Sequence, residues 1–590
     1  MLTRRQLLQT SAPALLLSSA YSQGRRPPNV VLVITDDQGY GDLGCHGNPW
    51  IRTPHLDKLH GQSVRFTNFH SDPLCAPTRA GLLTGQYALR NGVTAATAGW
   101  SLLRPGVATA ADMFRQAGYR TGIFGKWHLG ENYPLRPSDR GFDESIVCRG
   151  GGVAQSPDYF GNDYFDDHYY VSNEPKPFQG YCTDVFFGAA MDFVRKNRER
   201  PFFLYLPTNA PHDPFLVDKR YSEPYKKRGV PSPTAEFYGM IENIDENAGK
   251  LLRLLDELKI AEDTIFLFMT DNGSSAGGKR NDHPPEWQGY TAGMRAQKGS
   301  PFEGGHRVPL FVRWPKGGWK SGRDVAALTC HLDVLPTLAD LCGLKPPADH
   351  RFDGSSMVPL LRESQGFPAE RTHFIEHHQT RQDGKFQMED PGRWRNAVAL
   401  TSRWRLVNGR ALFDVQRDPG QTSDVAAANP QVVAKLLKEY DTWWKDVSPG
   451  FASWNRITIG SSSEPVTGLT CFDWHGAVVP SSQAMVQSNL VANGPWALTA
   501  ERAGIYSVTL RERPHYVQHA LRAQRARLRV NRHEHVQSVK PGSAGSTFEV
   551  PVPRGPVDLF TELDSDGVQR GAYYVDISYK EQNSSGRTAK

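Results

Sequence analysis

Three apolar runs, far apart in the chain, each stop abruptly in acid, amide or histidine. They are NVVLVITDD (29–37), PFFLYLPTNAPHDPF (201–215) and DTIFLFMTDNGSS (263–275). Apolar runs this short, with no polar alternation, are buried on both faces, as strands of a parallel sheet are. Between the second and third, Ile241, Ile244, Ala248, Leu251, Leu255 and Leu258 recur at helical spacing and predict a helix over 235–259. Strand, helix and strand in alternation predict an α/β fold, a mostly parallel central sheet flanked by helices. Sites in such sheets are built beyond the C-terminal strand ends. Asp36, Asp37, His212, Asp271 and Asn272 all fall there.

A chain of 590 residues is too long for one core. The α/β domain is expected over residues 24–390. Residues 404–426 read as short strands with a DPG turn, and 430–447 as an amphipathic helix starting at Pro430. They predict a small α+β subdomain over 391–449. Short alternating runs from 450 to 580, such as AGIYSVTLRERP and TFEVPVP, predict a β-sandwich. Its Trp474, Trp496 and Tyr506 are read as core in preference to a sugar-stacking platform. Residues 581–590 read as a disordered tail.

The N-terminus, MLTRRQLLQTSAPALLLSSAYSQG, pairs Arg4 and Arg5 with a short apolar stretch and small residues. That is the layout of an export signal (1–23), twin-arginine or ordinary secretory. A periplasmic or extracellular location follows, with no stable membrane span expected. A formal net charge of +6 suits an anionic ligand, and no Lys/Arg run suggests a nucleic-acid partner. Seven cysteines are scattered without metal-finger spacing; Cys330 and Cys342 are a possible local disulfide, and Cys75 is the candidate unpaired one.

Asp36, Asp37, Asp271 and Asn272 offer oxygen alone, the preference of a hard cation such as Ca²⁺. GIFGKWHLG (122–130) brings Lys126 and His128 two apart, and AQKGSPFEGGHRVP (296–309) sets Lys298 in a glycine-rich loop. A metal beside converging cations suits a tetrahedral oxyanion. In DPLCAPTRAGLLTGQY (72–87), Pro77 favours a helix start, which places Cys75 just before a helix N-terminus and Arg79 on its first turn, able to reach back. Read plainly, Cys75 is a thiolate nucleophile. A soft thiolate fits a hard-metal site poorly, unless residue 75 presents oxygen.

CAPTRAGLLTG (75–85) resembles the signature of the type I sulfatases, in the alkaline phosphatase superfamily. ITDDQGYGDLGCHG, GYRTGIFGKWHLG, APHDPF, MTDNGS and QKGSPFEGGHRVP resemble further motifs of that family. The likeness runs over about residues 27–445; Thr78 stands where serine is commonest. It implies that Cys75 is oxidised to formylglycine (3-oxoalanine) by a formylglycine-generating enzyme and acts as a hydrated gem-diol. It implies one Ca²⁺ on Asp36, Asp37, Asp271, Asn272 and residue 75. Arg79 would hold the diol, and Lys126 and Lys298 the sulfate. His212 would protonate the leaving oxygen, and His128 would accept the remaining hydroxyl proton. The implied substrate is a sulfated saccharide or aryl sulfate. Rival readings are a phosphonate or phosphodiester hydrolase of the superfamily, for which Asp-His is typical in place of Asp271–Asn272, and an inactive carbohydrate-binding protein. Loops 150–180 and 280–293, the latter with His283, Trp287 and Tyr290, are the expected pocket walls.

Overall fold

The computed structural model describes residues 26–382, 385–388, 392–451 and 453–580; the expected export signal and C-terminal tail lie outside them. Five parallel strands make its centre. They are β1 (Asn29–Thr35), β2 (Arg120–Lys126), β3 (Glu144–Cys148), β4 (Phe202–Pro207) and β5 (Thr264–Thr270). Their spatial order is β5-β1-β4-β2-β3. Leu310–Arg313 pairs antiparallel with β5 and His168–Val171 with β3, within a ten-stranded sheet.

The apolar runs are buried on both faces because two cores need them. Val30, Leu32 and Ile34 of β1 enter one core, and Val31 and Val33 the other. Helix α1 (Cys75–Thr84), every residue of it buried, packs on the first side. Helices α2 (Cys182–Asn197) and α3 (Thr234–Glu257) cover the second. In α3, Ile244, Ala248, Leu251 and Leu255 face that core, as their spacing predicts. The register aligns Thr35 of β1 with Thr270 of β5. The residues that follow, Asp36 and Asp271, therefore emerge side by side.

A four-stranded antiparallel sheet comes next: His373–Glu376, Ala397–Leu400, Trp404–Val407 and Ala411–Asp414. It packs on helix α4 (Pro430–Val447) through Phe374, Leu406, Leu412, Leu436 and Tyr440. Its first strand comes from before residue 391. Beyond residue 456, a six-stranded and a four-stranded sheet enclose one shared core. Trp474, Trp496 and Tyr506 are fully buried in it. Trp496 Nε1 donates to the Thr470 carbonyl (2.8 Å) and Tyr506 to that of Arg502 (2.7 Å), so these two polar tips are satisfied inside, whereas Trp474 Nε1 is buried without a hydrogen-bond partner. That core also takes in Ala98, Leu102 and Leu135, which fastens the sandwich to the α/β domain.

All seven cysteines are free, so the possible Cys330–Cys342 disulfide does not form. The helix Val334–Cys342 lies between them and rises about 12 Å, beyond the reach of a disulfide. Among the described residues, no helix is long and apolar enough to cross a membrane.

Candidate active site

Each strand end delivers one part of the site. Asp36 and Asp37 leave β1, Asp271 and Asn272 leave β5, and Lys126 is the last residue of β2. Asp37 adopts φ 61°, and its N–H donates to Asp271 Oδ1 at 3.0 Å. This left-handed turn, uncommon outside glycine, places both carboxylates in one cluster. Asp37 Oδ1 then meets Lys298 Nζ at 2.5 Å and Asn272 Nδ2 at 2.9 Å. Asp36 Oδ2 accepts from Lys126 and lies 3.4 Å from Arg79, whose Nη2 also donates to Asp271 Oδ2 at 2.9 Å.

Cys75 is buried and opens α1, with Leu74 as the N-cap; it is the first helical residue, one position further in than expected. Arg79 lies one turn on, but it does not reach back to residue 75 for a hydrogen bond. The two aspartates behind it are stronger partners for a fully buried guanidinium. His212, in the loop after β4, has Nδ1 2.7 Å from the Asp213 carbonyl and Nε2 3.8 Å from Asp37 Oδ2. His128 adopts φ 62°, and its Nε2 lies 2.7 Å from the Ala96 carbonyl.

Burial and charge set the protonation of these groups. Burial pushes the Cys75 thiol up even though Lys126 and Lys298 pull it down, so the unmodified side chain is a poor thiolate. Burial, then Asp271, pushes Asp36 up. Asp37 is buried too, yet Lys298 and His212 hold it below the usual carboxylate range. Burial opposes the charge on Lys126 and Lys298, and Asp36 and Asp37 more than offset it. Burial, then Lys126, keeps His128 neutral.

The donors fit a hard cation. Asp36 Oδ1 and Asn272 Oδ1 are buried without a hydrogen-bond partner, the condition that an absent ligand leaves. Asp36 and Asp37 each bring a carboxylate oxygen within 4.8 Å of the other, with a His212 ring nitrogen at the same range; the imidazole is not a hard-cation ligand. Three buried carboxylates face three cations, Arg79, Lys126 and Lys298. Their charges cancel, so an added divalent ion leaves a net positive site for an anion.

All ten expected positions thus meet at one sheet edge. The expected walls divide. Loop 150–180 reaches the site: a side chain at Gly151 would strike the His128 ring, and Tyr164 donates to the His212 carbonyl at 2.6 Å. In loop 280–293 the aromatic groups are committed elsewhere. His283 bonds Thr234, Trp287 packs on Trp50, and Tyr290 donates to the His46 carbonyl. His283 and Trp287 are buried in these contacts, and Tyr290 is half-buried and held by its hydrogen bond. Asp72, three residues before Cys75, lies 3.3 Å from His331 with His377 beside it, a grouping that no sequence motif announces. No strand-end pattern marks these histidines.

Comparison with known proteins agrees with this geometry. The family model described as Sulfatase matches residues 28–344, more than half of the chain. The chain belongs to the sulfatase family. A second model, N-sulphoglucosamine sulphohydrolase, C-terminal, matches residues 297–443 of this sulfatase. Human N-acetylgalactosamine-6-sulfatase is 32% identical over 363 residues, covering 58% of this chain and 67% of the relative. N-acetylgalactosamine-6-O-sulfatase of Bacteroides thetaiotaomicron is 28% identical, covering 70% and 92%. The solved structure of Ps i-CgsB in complex with k-i-k-neocarrahexaose has a TM-score of 0.62 and 25% identity, covering 74% of this chain and 96% of that one. Fold and family place the chain among the sulfuric ester hydrolases of the alkaline-phosphatase-like superfamily.

Proposed function

We propose that this sulfatase hydrolyses sulfate monoesters on saccharides, with residue 75 acting after its cysteine has been oxidised to formylglycine. The carrying observation is the setting of Cys75. It is buried at the head of α1, under the influence of Lys126, Lys298, Asp36 and Asp271, where a thiol is raised away from its nucleophilic form. When present, the hydrated formylglycine supplies an oxygen nucleophile, and a Ca²⁺ ion on Asp36, Asp37, Asp271 and Asn272 supplies Lewis-acid polarisation.

The chain's own groups have matching tasks. Lys126 and Lys298 hold the ester's charged oxygens as negative charge builds. Arg79, fixed by Asp36 and Asp271, sets a positive wall one helical turn from residue 75. His212 has its Nδ1 proton on the Asp213 carbonyl and turns Nε2 to the site; in its doubly protonated form it would donate the Nε2 proton to the leaving oxygen. His128, with Nε2 committed to Ala96, keeps Nδ1 as proton acceptor. The names of the relatives support a saccharide substrate, and loop 150–180 at the histidines is where one would be read.

In this reading residues 24–390 are the catalytic domain, 391–449 its C-terminal subdomain and 450–580 an accessory sandwich. The chain is exported, and a formylglycine-generating enzyme is its maturation partner. The test is peptide mass spectrometry across residues 72–79, on protein co-produced with that enzyme, with sulfate-release assays on sulfated saccharides. Conversion of the thiol to an aldehyde together with sulfate release is expected. An unmodified thiol and no release from any sulfate ester would overturn the proposal.

A further inference from the structure

Away from the acidic cluster, a second group of side chains has the opposite donor chemistry. The turn Gly44–His46 lies against the helix Pro54–Gly61. Cys45 Sγ and one ring nitrogen each of His46 and His60 lie within 4.8 Å of one another. They border a cavity of about 330 Å³ that Phe311 and Asp324 also line. The geometry points to a second metal site, for Zn²⁺ or a similarly thiophilic ion, built from Cys45, His46 and His60.

The donors argue for the class. One sulfur and two imidazoles suit Zn²⁺ and repel Ca²⁺, which takes oxygen. The all-oxygen cluster around Asp37 has the reverse preference, so the two sites would sort two metals.

His46 is already oriented for the task. Its Nδ1 lies 2.7 Å from the Tyr40 carbonyl, so it carries the proton there and leaves Nε2 as a lone-pair donor. Metal-bound histidines are held in this way, with the other nitrogen bonded to a carbonyl. The ring is stacked on Tyr40 (3.9 Å between centroids) and meets Phe311 edge-on at 5.8 Å, so it cannot swing away. His60 meets the same Phe311 edge-on at 5.1 Å. Among the described residues, no group hydrogen-bonds to its ring.

The backbone around Cys45 is pinned as well. Its N–H donates to Asp57 Oδ1 at 2.8 Å, and the Gly44 N–H to Thr53 Oγ1 at 2.9 Å. Turn and helix are therefore held in register before any metal arrives. Burial holds both imidazoles in the neutral form that a metal needs, while burial and then Asp57 push the Cys45 thiol up, so it stays protonated until a metal displaces its proton. Binding exchanges the Cys45 S–H bond for an S–metal bond and releases one proton to solvent. Asp57 and Asp324 supply compensating charge; Asp324 is also the partner of Arg65, at 2.5 Å. With three protein ligands, a fourth position would remain for a ligand from the cavity they border.

A third cluster, His70, Glu303 and His306, is already satisfied internally. Its histidines share a hydrogen bond of 3.0 Å, and Glu303 is paired with Arg405.

The test uses the full chain with excess Ca²⁺, to occupy the oxygen site, and titrates Zn²⁺ by calorimetry and Co²⁺ by absorption. One Zn²⁺ per chain and a thiolate-to-cobalt charge-transfer band are expected. Cys45→Ser should abolish the band, and His60→Ala should weaken Zn²⁺ binding about tenfold or more, with saccharide-sulfatase turnover unchanged. No thiolate band, or undiminished binding in both variants, would overturn the site. Should either variant fail to fold, alkylation of the unaltered chain still decides. Zn²⁺ should slow labelling of Cys45 at least tenfold and leave the likewise half-buried Cys342 unaffected; equal labelling of Cys45 with and without Zn²⁺ would overturn the site.

Discussion

His128 Nε2 lies 2.7 Å from the carbonyl oxygen of Ala96, and its Nδ1 is buried with no protein partner. The carbonyl accepts only, so Nε2 carries the proton and Nδ1 holds the free lone pair. A base with its tautomer fixed is ready to accept a proton without reorganising. Replacing it removes turnover and leaves binding. His128→Ala should lower kcat by about 10²–10⁴, with KM falling in step and kcat/KM little changed. In the proposed mechanism the first bond cleavage does not need this base, so rapid mixing should show a burst of released alcohol and then a stall. A slow linear release with no burst would assign His128 to an earlier step.

Lys298 sits 2.5 Å from Asp37 Oδ1, in competition with any cation that Asp37 would bind. Removing the lysine should therefore separate metal binding from catalysis. Lys298→Met should bind Ca²⁺ more tightly, by about tenfold or more, while losing about 10² in kcat. Calorimetry with Ca²⁺ on the chelator-treated protein measures the first, and sulfate release the second. Chelation of the unaltered chain should abolish activity, and Ca²⁺ should restore it. Weaker Ca²⁺ binding in Lys298→Met would mean that the lysine organises the acids and does not compete for them.

Glu303 and Arg405 form a fully buried ion pair, with Nε and Oε1 2.6 Å apart. Arg405, on the strand Trp404–Val407, reaches the short helix that follows the Lys298 loop. Arg405 and the flanking His70 and His306 hold the Glu303 carboxylate charged despite its burial. Arg405→Ala would strand that charge and should cost about 3–5 kcal/mol, read as a lower denaturant midpoint. A loss under about 1 kcal/mol would show that water or a histidine replaces the arginine.

Much of this was legible in the sequence because strand ends announce themselves. A buried parallel strand must be apolar throughout, so the point where NVVLVIT becomes Asp36–Asp37 marks the sheet edge. The same logic places Asp271 and Asn272 after β5 and Lys126 at the end of β2. What stayed hidden depended on packing between distant segments. Arg79 was readable as a first-turn residue, but its pairing with Asp36 and Asp271 depends on how α1 is set against the sheet. Trp287 and Tyr290 looked like ligand-facing aromatics, since composition does not distinguish a ring against Trp50 from one against a sugar. His331 and His377 gather near Asp72 from segments more than 250 residues away in sequence, and no local period encodes that.

Glu376 carries the pH prediction. It is buried on the strand His373–Glu376, where it accepts from Tyr440 and lies 3.3 Å from His378 Nε2. Burial pushes its carboxyl up from about 4.5 to about 8, against a smaller opposing pull from Tyr440. Burial also holds His378 down, at about 4, so both groups are neutral near pH 7 and the carboxyl proton serves the imidazole. The folded chain binds this proton more tightly than the unfolded chain does. The resulting stability is therefore full below about pH 4.5 and is lost as pH rises toward about 8. Glutamine keeps an acceptor for Tyr440 and a donor for His378 but has no proton to lose. Glu376→Gln should match the unaltered protein near pH 5 and exceed it by about 1–3 kcal/mol near pH 8.5. Urea unfolding of both proteins at the two pH values measures the difference directly. Parallel pH profiles would mean that Glu376 is already ionised in the folded state, with His378 protonated beside it.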